Sequence, residues 1–219
     1  MKKIVVAIDG PAGAGKSTIA KLAAEKLGYA YIDTGAMYRA IGWMFAKNKV
    51  NTEDSAEVQD VLNRTVIDFD NGKIFLNGED ISGEIRTPEI SKAASVCSKL
   101  PEVRSKLVAL QREIAEGKSV VMDGRDIGTN VLPNAEVKIF LTADPMVRAK
   151  RRYDQLLESG KEADLNSIFE DIKERDYQDT HRKLNPLQQA EDAVLLDTSD
   201  MTIDQVLDEI MKMAEGKNE

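Results

Sequence analysis

The stretch GPAGAGKS, from Gly10 to Ser17, contains the residue types that hold a nucleoside triphosphate. It fits the P-loop pattern G-x-x-x-x-G-K-[ST]. Glycines let backbone N–H groups surround a phosphate, the lysine reaches the β and γ phosphates, and the serine hydroxyl can bind Mg²⁺. A glycine-rich turn without a ligand is the alternative, but an apolar run precedes this stretch and a helical pattern follows it. The predicted donor-binding residues are Gly10, Pro11, Ala12, Gly13, Ala14, Gly15, Lys16, Ser17 and Thr18.

A second stretch with residues that could bind ligands, MDGRDIG at 122–128, follows a short apolar run. It contains Asp123, Arg125 and Asp126, and two carboxylates with one guanidinium do not neutralise each other. Since buried charges are costly without partners, we expect these groups to hold ligands. Asp123, at the end of the predicted strand, suits a residue that orders Mg²⁺ directly or through water. The alternative for Asp123 is a helix N-cap. The predicted metal residues are Ser17 and Asp123.

Arginines in the second half of the chain suggest a site for another phosphate. Ile168, Ile172, Arg175, Asp179 and Arg182 are spaced by 4, 3, 4 and 3 residues, so they share one face of a helix. The stripe begins apolar and becomes charged, which favours a cleft. The alternative is an intrahelical pair between Arg175 and Asp179, which would contribute only a few tenths of a kcal/mol.

Further arginines flank this helix in sequence. The run RAKRR at 148–152 places Arg148, Arg151 and Arg152 together in an acidic chain, which suggests a focused anion site for the donor phosphates. Arg39 follows a second predicted strand, where Thr34 could cap a helix. Arginine binds phosphate oxygens with a planar fork and stays charged.

These residues predict a phosphoryl transfer between two phosphates. The donor would lie on the P-loop, the acceptor on Arg39, Arg125 and Arg182, and a mobile lid would lie near 151–175. The predicted catalytic residues are Lys16, Asp123, Arg125 and Arg182. An ionised phosphate acceptor needs no strong general base, which fits a chain whose only histidine is His181.

Alternating apolar runs and helical patterns must position these groups. The predicted strands are 4–8, 30–32, 120–123, 137–143 and 193–199, and the predicted helices are 17–27, 35–47, 101–116, 145–158, 164–184 and 202–214. Strands separated by helices favour a parallel sheet with helices on both faces. Residues 62–90 differ, because Asn71-Gly72 and Asn77-Gly78 are turn signals between short β-prone runs. They predict a small antiparallel insert.

Composition narrows the classes of function. The 219 residues include 42% hydrophobic and 31% charged residues, as in a globular protein of one domain with appendages. A net charge of -8 disfavours non-specific nucleic-acid binding. The single cysteine, Cys97, cannot form an intrachain disulfide and is predicted to be a small buried hydrophobe. No run is long enough to span a membrane, and the first apolar run ends at Asp9, too early for a signal peptide. We expect a cytoplasmic monomer.

Several stretches together resemble the bacterial cytidylate kinases, within the nucleoside monophosphate kinase group of P-loop proteins. They are IDGPAGAGKST, DTGAMYRA, GEDISGEIRTPEISKAAS, PEVR, DGRDIGT, VKIFLTA and KERDYQDTHR. The resemblance implies an α/β P-loop kinase with a five-stranded parallel sheet flanked by helices, a β-rich insert that belongs to the part binding the nucleoside monophosphate, and a helical lid. As a single kinase domain, residues 1–219 would divide into a core (about 1–34, 99–150 and 185–219), an acceptor-binding part (about 35–98) and a lid (about 151–184).

The resemblance also implies the reaction and the roles of single residues. The γ-phosphoryl group of ATP would pass to CMP or dCMP with Mg²⁺, giving CDP or dCDP in pyrimidine metabolism, with small-molecule partners only. By position, Arg39, Arg125 and Arg182 would hold the acceptor's phosphate. Arg175 and Asp179 would contact its sugar, and Ser95, Arg104 and Asp126 would bind cytosine. Thr34 stands where relatives have serine, so its hydroxyl keeps that acceptor-binding role.

The chemistry of cytosine agrees with that implication. A carboxylate would accept from the N4 amino group, and donors would face N3 and O2. Uracil would place O4 against the carboxylate, and buried mismatches of this kind discriminate strongly.

Other functions remain open at this point. A kinase for UMP or AMP would share the same P-loop. A nucleotide-dependent switch or assembly ATPase would use the insert as a partner surface, and a GTPase would usually carry N-K-x-D, whereas residues 48–51 read NKVN. A binding module without catalysis is disfavoured by the presence of both Lys16 and Ser17.

Overall fold

The computed structural model describes residues 3–70 and 72–217. The chain forms two compact units, one containing the chain up to Ile32 and from Gly117 onward, the other running from Asp33 to Glu116. In the described residues the strands are β1 (Val5–Asp9), β2 (Ala30–Asp33), β3 (Ile67–Asp70), β4 (Lys73–Leu76), β5 (Glu79–Asp80), β6 (Val120–Gly124), β7 (Val137–Thr142) and β8 (Val194–Asp197). The α-helices are α1 (Lys16–Leu27), α2 (Thr34–Asn48), α3 (Ser55–Asn63), α4 (Pro88–Cys97), α5 (Pro101–Ala115), α6 (Pro145–Glu158), α7 (Leu165–His181) and α8 (Ile203–Glu215).

The five predicted strands form one sheet in the order β2-β6-β1-β7-β8. β1 is parallel to β6 and β7, and β7 is parallel to β8. Every residue of β1 and of β6 is buried, as expected for strands covered on both faces. Because β1 is central and its neighbours are reached in opposite directions along the sheet, the loop after β1 lies at a switch point, where parallel sheets bind ligands.

The core of this first unit lies between the sheet and the helices α1 and α8. It is built from apolar residues such as Ile4, Ile8, Ile19, Val121, Ile139, Leu141, Val206 and Ile210. α1 ends at Leu27, where the sequence predicted its end, and Gly28 caps it with a left-handed φ of 67°. α8 begins with a capping box between Thr202 and Gln205.

The second unit combines helices with the predicted antiparallel insert. α2 packs against α4, and α3 packs against α5. β3, β4 and β5 form an antiparallel sheet, in which Asn77 and Gly78 make the two-residue turn with φ of 51° and 83°. The other predicted turn includes Asn71, which lies outside the described residues. This unit runs to Glu116 and includes α5, whereas the predicted acceptor-binding part ends at residue 98.

Two helices of the second unit were not predicted, whereas the burial of its cysteine was. The sequence patterns predicted no helix at 55–63 or 88–97, but α3 and α4 form there after the N-caps Asp54 and Thr87. Cys97, at the end of α4, is buried as predicted, and burial raises the pKa of its thiol to about 12.

α6 and α7 pack against each other in the first unit. α6 has the predicted bounds, but α7 ends at His181, three residues before the predicted end. Arg182 is therefore not on the helix. Its backbone is extended, with ψ of 143°, and its Nε donates to the carbonyl of Asn185 at 2.7 Å. That bond across a tight bend replaces the next helical turn.

Candidate active site

The predicted P-loop connects β1 to the first turn of α1. Gly10 must lack a side chain, because a Cβ there would lie 1.9 Å from the carbonyl oxygen of Leu141 in β7. Lys16 is the first residue of α1, and its buried Nζ donates to the carbonyl of Pro11 at 2.7 Å. The ammonium therefore lies inside the loop that its own backbone forms.

The environment of Lys16 lowers the pKa of its ammonium group. Burial and the neighbouring Arg125 charge lower the pKa of Lys16 to about 7, although the carboxylates of Asp123, Asp179 and Asp9 act in the opposite direction. An anion inside the loop would favour the charged form.

Asp123, near the end of β6, is hydrogen-bonded to the last residue of the P-loop motif, Ser17. Ser17 donates its hydroxyl to Oδ2 at 2.8 Å, and Tyr31 donates its phenol to Oδ1 at 3.0 Å. The helical turn after β6 begins at Ile127, following Asp126, so Asp123 is not its N-cap. This excludes the structural alternative considered for Asp123.

Ser17 and Asp123 fit a magnesium site by their chemistry. Mg²⁺ prefers oxygen ligands, takes few of them from the protein and keeps several waters. Among the described residues, no group of three or more His, Cys, Asp or Glu side chains is arranged to hold a metal. A site at Ser17 and Asp123 would therefore use two protein oxygens together with phosphate oxygens and water.

Arg125 and Asp179 form an ion pair between the end of β6 and α7. Arg125 Nε donates to Asp179 Oδ2 at 2.7 Å. Burial alone would lower the pKa of Arg125, but the charge and hydrogen bond of Asp179, together with the charges of Asp123 and Asp176, more than offset it, and the pKa is raised. Burial also opposes ionisation of Asp179, yet the Arg125 charge and hydrogen bond keep its pKa below the usual value. Both groups are therefore charged at neutral pH.

A second ion pair, between Asp126 and Arg182, is more deeply buried. Arg182 Nη2 donates to Asp126 Oδ1 at 2.9 Å, and the two side chains are 5% and 7% exposed. Asn130 donates its amide to Asp126 Oδ2 at 3.0 Å. Two charged residues of the predicted stripe therefore contact the segment after β6. Asp179, on α7, binds Arg125, and Arg182, just after α7, binds Asp126.

In the second unit, the sequence-predicted Arg39 lies over the start of α2. Its Nη2 contacts Asp33 Oδ2 at 3.0 Å. Asp33 is also the N-cap of α2, accepting from the backbone N–H of Ala36 at 2.8 Å. Thr34 is the first residue of the helix, so the prediction that Thr34 caps it is wrong, and the carboxylate one residue earlier does so.

The two remaining predicted residues of this unit lie on α4 and α5. Ser95 is half-buried on α4. Arg104 is buried on α5, and its guanidinium carbon lies 6.0 Å from the ring centroid of Tyr38 on α2. A flat cation beside an aromatic face provides donors in a partly apolar setting, which suits a nucleobase.

Comparison with known proteins identifies the family. The sequence profile described as cytidylate kinase matches residues 6–216. This chain belongs to the cytidylate kinase family.

Its relatives are similar over almost their whole length. The cytidylate kinase of Caldicellulosiruptor bescii is 50% identical over 217 residues, covering 97% of this chain and 96% of that protein. The cytidylate kinase of Bacillus subtilis is 47% identical over 221 residues, covering 99% of each. A solved shikimate kinase from Bacteroides thetaiotaomicron shares the fold, with a TM-score of 0.52, 14% identity and coverage of 97% of this chain and 98% of that chain. The predicted P-loop kinase fold is confirmed.

The arginines of the run at 148–152 in this cytidylate kinase contact protein oxygens. Arg148 is buried and donates to the carbonyls of Ala12 and Ala143 and to both carboxylate oxygens of Asp176. Arg151 donates to the hydroxyl and carbonyl of Thr198 after β8. Arg152 is exposed and donates to Gln155 at 2.7 Å. A role of all three toward the donor nucleotide stays a prediction.

Asp9 is a residue of this site that the sequence analysis missed. At the end of β1 its carboxylate accepts the backbone N–H groups of Ile127 and Gly128 at 2.8 and 2.7 Å. Burial raises the pKa of Asp9 to about 6 despite these bonds, and the Asp126 charge adds to the increase. The available signal was an acidic residue at the end of an otherwise apolar strand, directly before the P-loop.

Among the helices that the structure describes, none has the length and apolar character required to pass through a membrane.

Proposed function

We propose that this cytidylate kinase transfers the γ-phosphoryl group of ATP to CMP or dCMP, with Mg²⁺, and so forms CDP or dCDP. The observation that carries the proposal is the match of residues 6–216 to the cytidylate kinase family in a chain whose P-loop lies beside Asp123. The roles of single acceptor-binding residues are those that the family resemblance implies, and the chemistry of their side chains supports them.

The donor triphosphate would be bound by the P-loop. Its backbone N–H groups and the N-terminus of α1 favour an anion, and Lys16 would leave the Pro11 carbonyl to contact the β and γ phosphates. Ser17 and Asp123 would hold Mg²⁺, which neutralises charge that develops on the transferred group when it is bound. Arg148, Arg151 and Arg152 are assigned to the donor side, with Arg151 and Arg152 in the predicted lid.

The acceptor's phosphate would be bound by Arg39, Arg125 and Arg182. Arg125 remains charged because Asp179 raises its pKa, so it can neutralise the equatorial oxygens of the moving group. Arg182 uses Nε and Nη2 for Asn185 and Asp126, which leaves Nη1 for a phosphate oxygen. No strong base is needed, since the attacking oxygen is already ionised.

The base and sugar would be bound by the remaining predicted residues. Asp126 would accept from the cytosine N4 amino group, and Arg104 and Ser95 would donate to N3 and O2. Arg182 and Asn130 donate to the two oxygens of Asp126 and hold the carboxylate in place. Arg175 and Asp179 are assigned to the sugar, and Thr34 to the acceptor side of α2.

A comparison of four acceptors at fixed ATP tests the proposal. We expect CMP and dCMP to be phosphorylated with a kcat/KM at least about a hundredfold above that of UMP or AMP, because a mismatched base would leave buried polar groups unpaired. Omission of Mg²⁺ should abolish turnover. Faster turnover of UMP or AMP would indicate a kinase for another monophosphate. ATP hydrolysis that is unaffected by CMP but depends on a macromolecule would indicate a switch or assembly ATPase.

A further inference from the structure

Gly35 occupies a position where the backbone does not need glycine. It is the second residue of α2 and is not among the glycines with positive φ. A Cβ at Gly35 would nevertheless lie 3.0 Å from Nη1 of Arg39 and 3.1 Å from Oδ1 of Asp33. The space that a side chain would fill is taken by an ion pair lying across the first turn of the helix.

The two members of this pair differ in how far they can move. The Asp33 carboxylate is bound by the backbone N–H of Ala36 and caps α2. The Arg39 guanidinium stands at the end of a flexible side chain, and its buried Nε has no hydrogen-bond partner in the described part of the chain. A methyl group at position 35 would therefore displace Arg39 and leave the cap in place.

We propose that Gly35 is a positioning residue for the acceptor's phosphate. By lacking a side chain it lets the Arg39 guanidinium lie against the N-terminal turn of α2, so that one cation and the positive end of a helix act on the same anion. The unsatisfied Nε of Arg39 is a donor that a phosphate oxygen could meet. This inference rests on the proposed role of Arg39 in binding the acceptor.

Gly42, in the same helix, provides the matched control. A Cβ at Gly42 would lie 2.8 Å from the backbone nitrogen of Ala94 and 3.1 Å from the backbone carbon of Ala93, both on α4. Backbone atoms cannot move aside as a side chain can. Gly42→Ala should therefore lower the midpoint of thermal unfolding, while Gly35→Ala should leave it unchanged or raise it, because alanine favours helix over glycine.

The test is steady-state kinetics on Gly35→Ala, Arg39→Ala and the double variant, with thermal unfolding of each. We expect Gly35→Ala to lower kcat/KM for CMP about tenfold, since displacement of a positioned group by less than 1 Å is costly. KM for ATP should stay unchanged. Arg39→Ala should lower kcat/KM for CMP about ten- to hundredfold, and adding Gly35→Ala to it should change nothing further.

The three variants distinguish a failure of the positioning role of Gly35 from a failure of the acceptor role of Arg39. If Arg39→Ala impairs CMP turnover but Gly35→Ala does not, the positioning role is overturned and the acceptor assignment stands. If the loss from Gly35→Ala persists without Arg39, the methyl group meets the nucleotide directly, and the inference is again overturned. If Arg39→Ala leaves CMP turnover unchanged, the acceptor assignment of Arg39 fails first and the inference fails with it.

Discussion

Asp123, Arg125 and Asp126 follow one another on the same segment, yet each has a different partner. Asp123 accepts from Ser17 and Tyr31, Arg125 pairs with Asp179, and Asp126 pairs with Arg182. Neighbouring residues at the end of a strand point in different directions, so a short segment can serve separate groups. Arg125 and Asp126 are therefore paired with opposite charges from elsewhere, whereas the Asp123 carboxylate is stabilised by hydrogen bonds from two hydroxyl groups.

For a single residue of this segment, we predict that Asp126→Ala relaxes the preference for cytosine over uracil. The carboxylate is the only acceptor assigned to N4, and its loss should reduce the ratio of kcat/KM for CMP to that for UMP about ten- to hundredfold, as expected for a hydrogen bond to a charged group. The measurement is turnover of both acceptors, with KM for ATP recorded in parallel. Equal losses for both bases would contradict the role assigned to Asp126.

Asp126→Asn is the matched control for that variant. The amide keeps the size of the side chain, and its nitrogen could donate to uracil O4 while its oxygen accepts from Arg182. The asparagine variant should therefore retain more UMP turnover than the alanine variant. A uniform loss of folding in both, seen by circular dichroism, would instead reflect the broken buried pair.

The predictability of single residues depends on whether their partners are close in sequence. Lys16 and Ser17 were identified because the P-loop is contiguous and its spacing is specific. The contact between Asp123 and Tyr31 could not be predicted, since 92 positions separate the two residues. Asp9 was missed for the same reason, because the N–H groups it binds belong to Ile127 and Gly128.

At the scale of elements, Arg148 connects three parts of the first unit. From α6 its guanidinium reaches the P-loop at Ala12, the end of β7 at Ala143, and Asp176 on α7. The side chain of Arg148 is 3% exposed and that of Asp176 is 23% exposed. Removal of the arginine would leave a partly buried carboxylate and two carbonyls without this donor.

We therefore predict that Arg148→Met lowers the free energy of unfolding by about 2 kcal/mol, less than for a fully buried pair because water reaches Asp176. Urea unfolding measures the change. Arg152→Met is the control on the same helix, and as an exposed residue it should change stability by less than about 0.5 kcal/mol. A stable Arg148→Met variant with a raised KM for ATP would show that the arginine serves the nucleotide rather than the packing of α6 and α7.

Elements of the parallel sheet were predictable, and the shorter helices were not. Continuous apolar runs such as IVVAI and VKIFL have one common outcome, a strand covered on both faces. α3 has only Val58 and Leu62 buried, so its apolar pattern is too sparse to stand out. The end of α7 was misplaced because a side-chain bond from Arg182, not a glycine or proline, ends it.

At the scale of the whole molecule, the core of the first unit contains an acidic group that opposes folding at neutral pH. Asp9 is 4% exposed and its pKa is raised by burial to about 6, above its ordinary value of 3.8. Between these two values the folded protein holds a proton that the unfolded chain releases. The contribution of Asp9 to stability is therefore greatest below pH 3.8 and is lost as the pH rises through about 6.

We predict that Asp9→Asn removes this dependence. The free energy of unfolding of the unmodified protein, relative to the variant, should fall by about 1 kcal/mol between about pH 5 and about pH 7. Other carboxylates, such as Asp80 with a pKa lowered to about 2, titrate in both proteins and cancel in the difference. Urea unfolding across this range gives the curve.

The absolute stability of the variant does not enter the test. An asparagine presents its oxygen to one of the N–H groups of Ile127 and Gly128 and its amide nitrogen to the other, and this shifts the whole curve by a constant. The change of stability with pH reports the proton bound to Asp9. A ¹³C NMR titration of the Asp9 carboxyl carbon measures the same quantity directly. A midpoint at or below the ordinary 3.8 would show that the two backbone bonds outweigh burial, and the segment after β6 would then be held by a fully charged carboxylate at every pH at which the enzyme works.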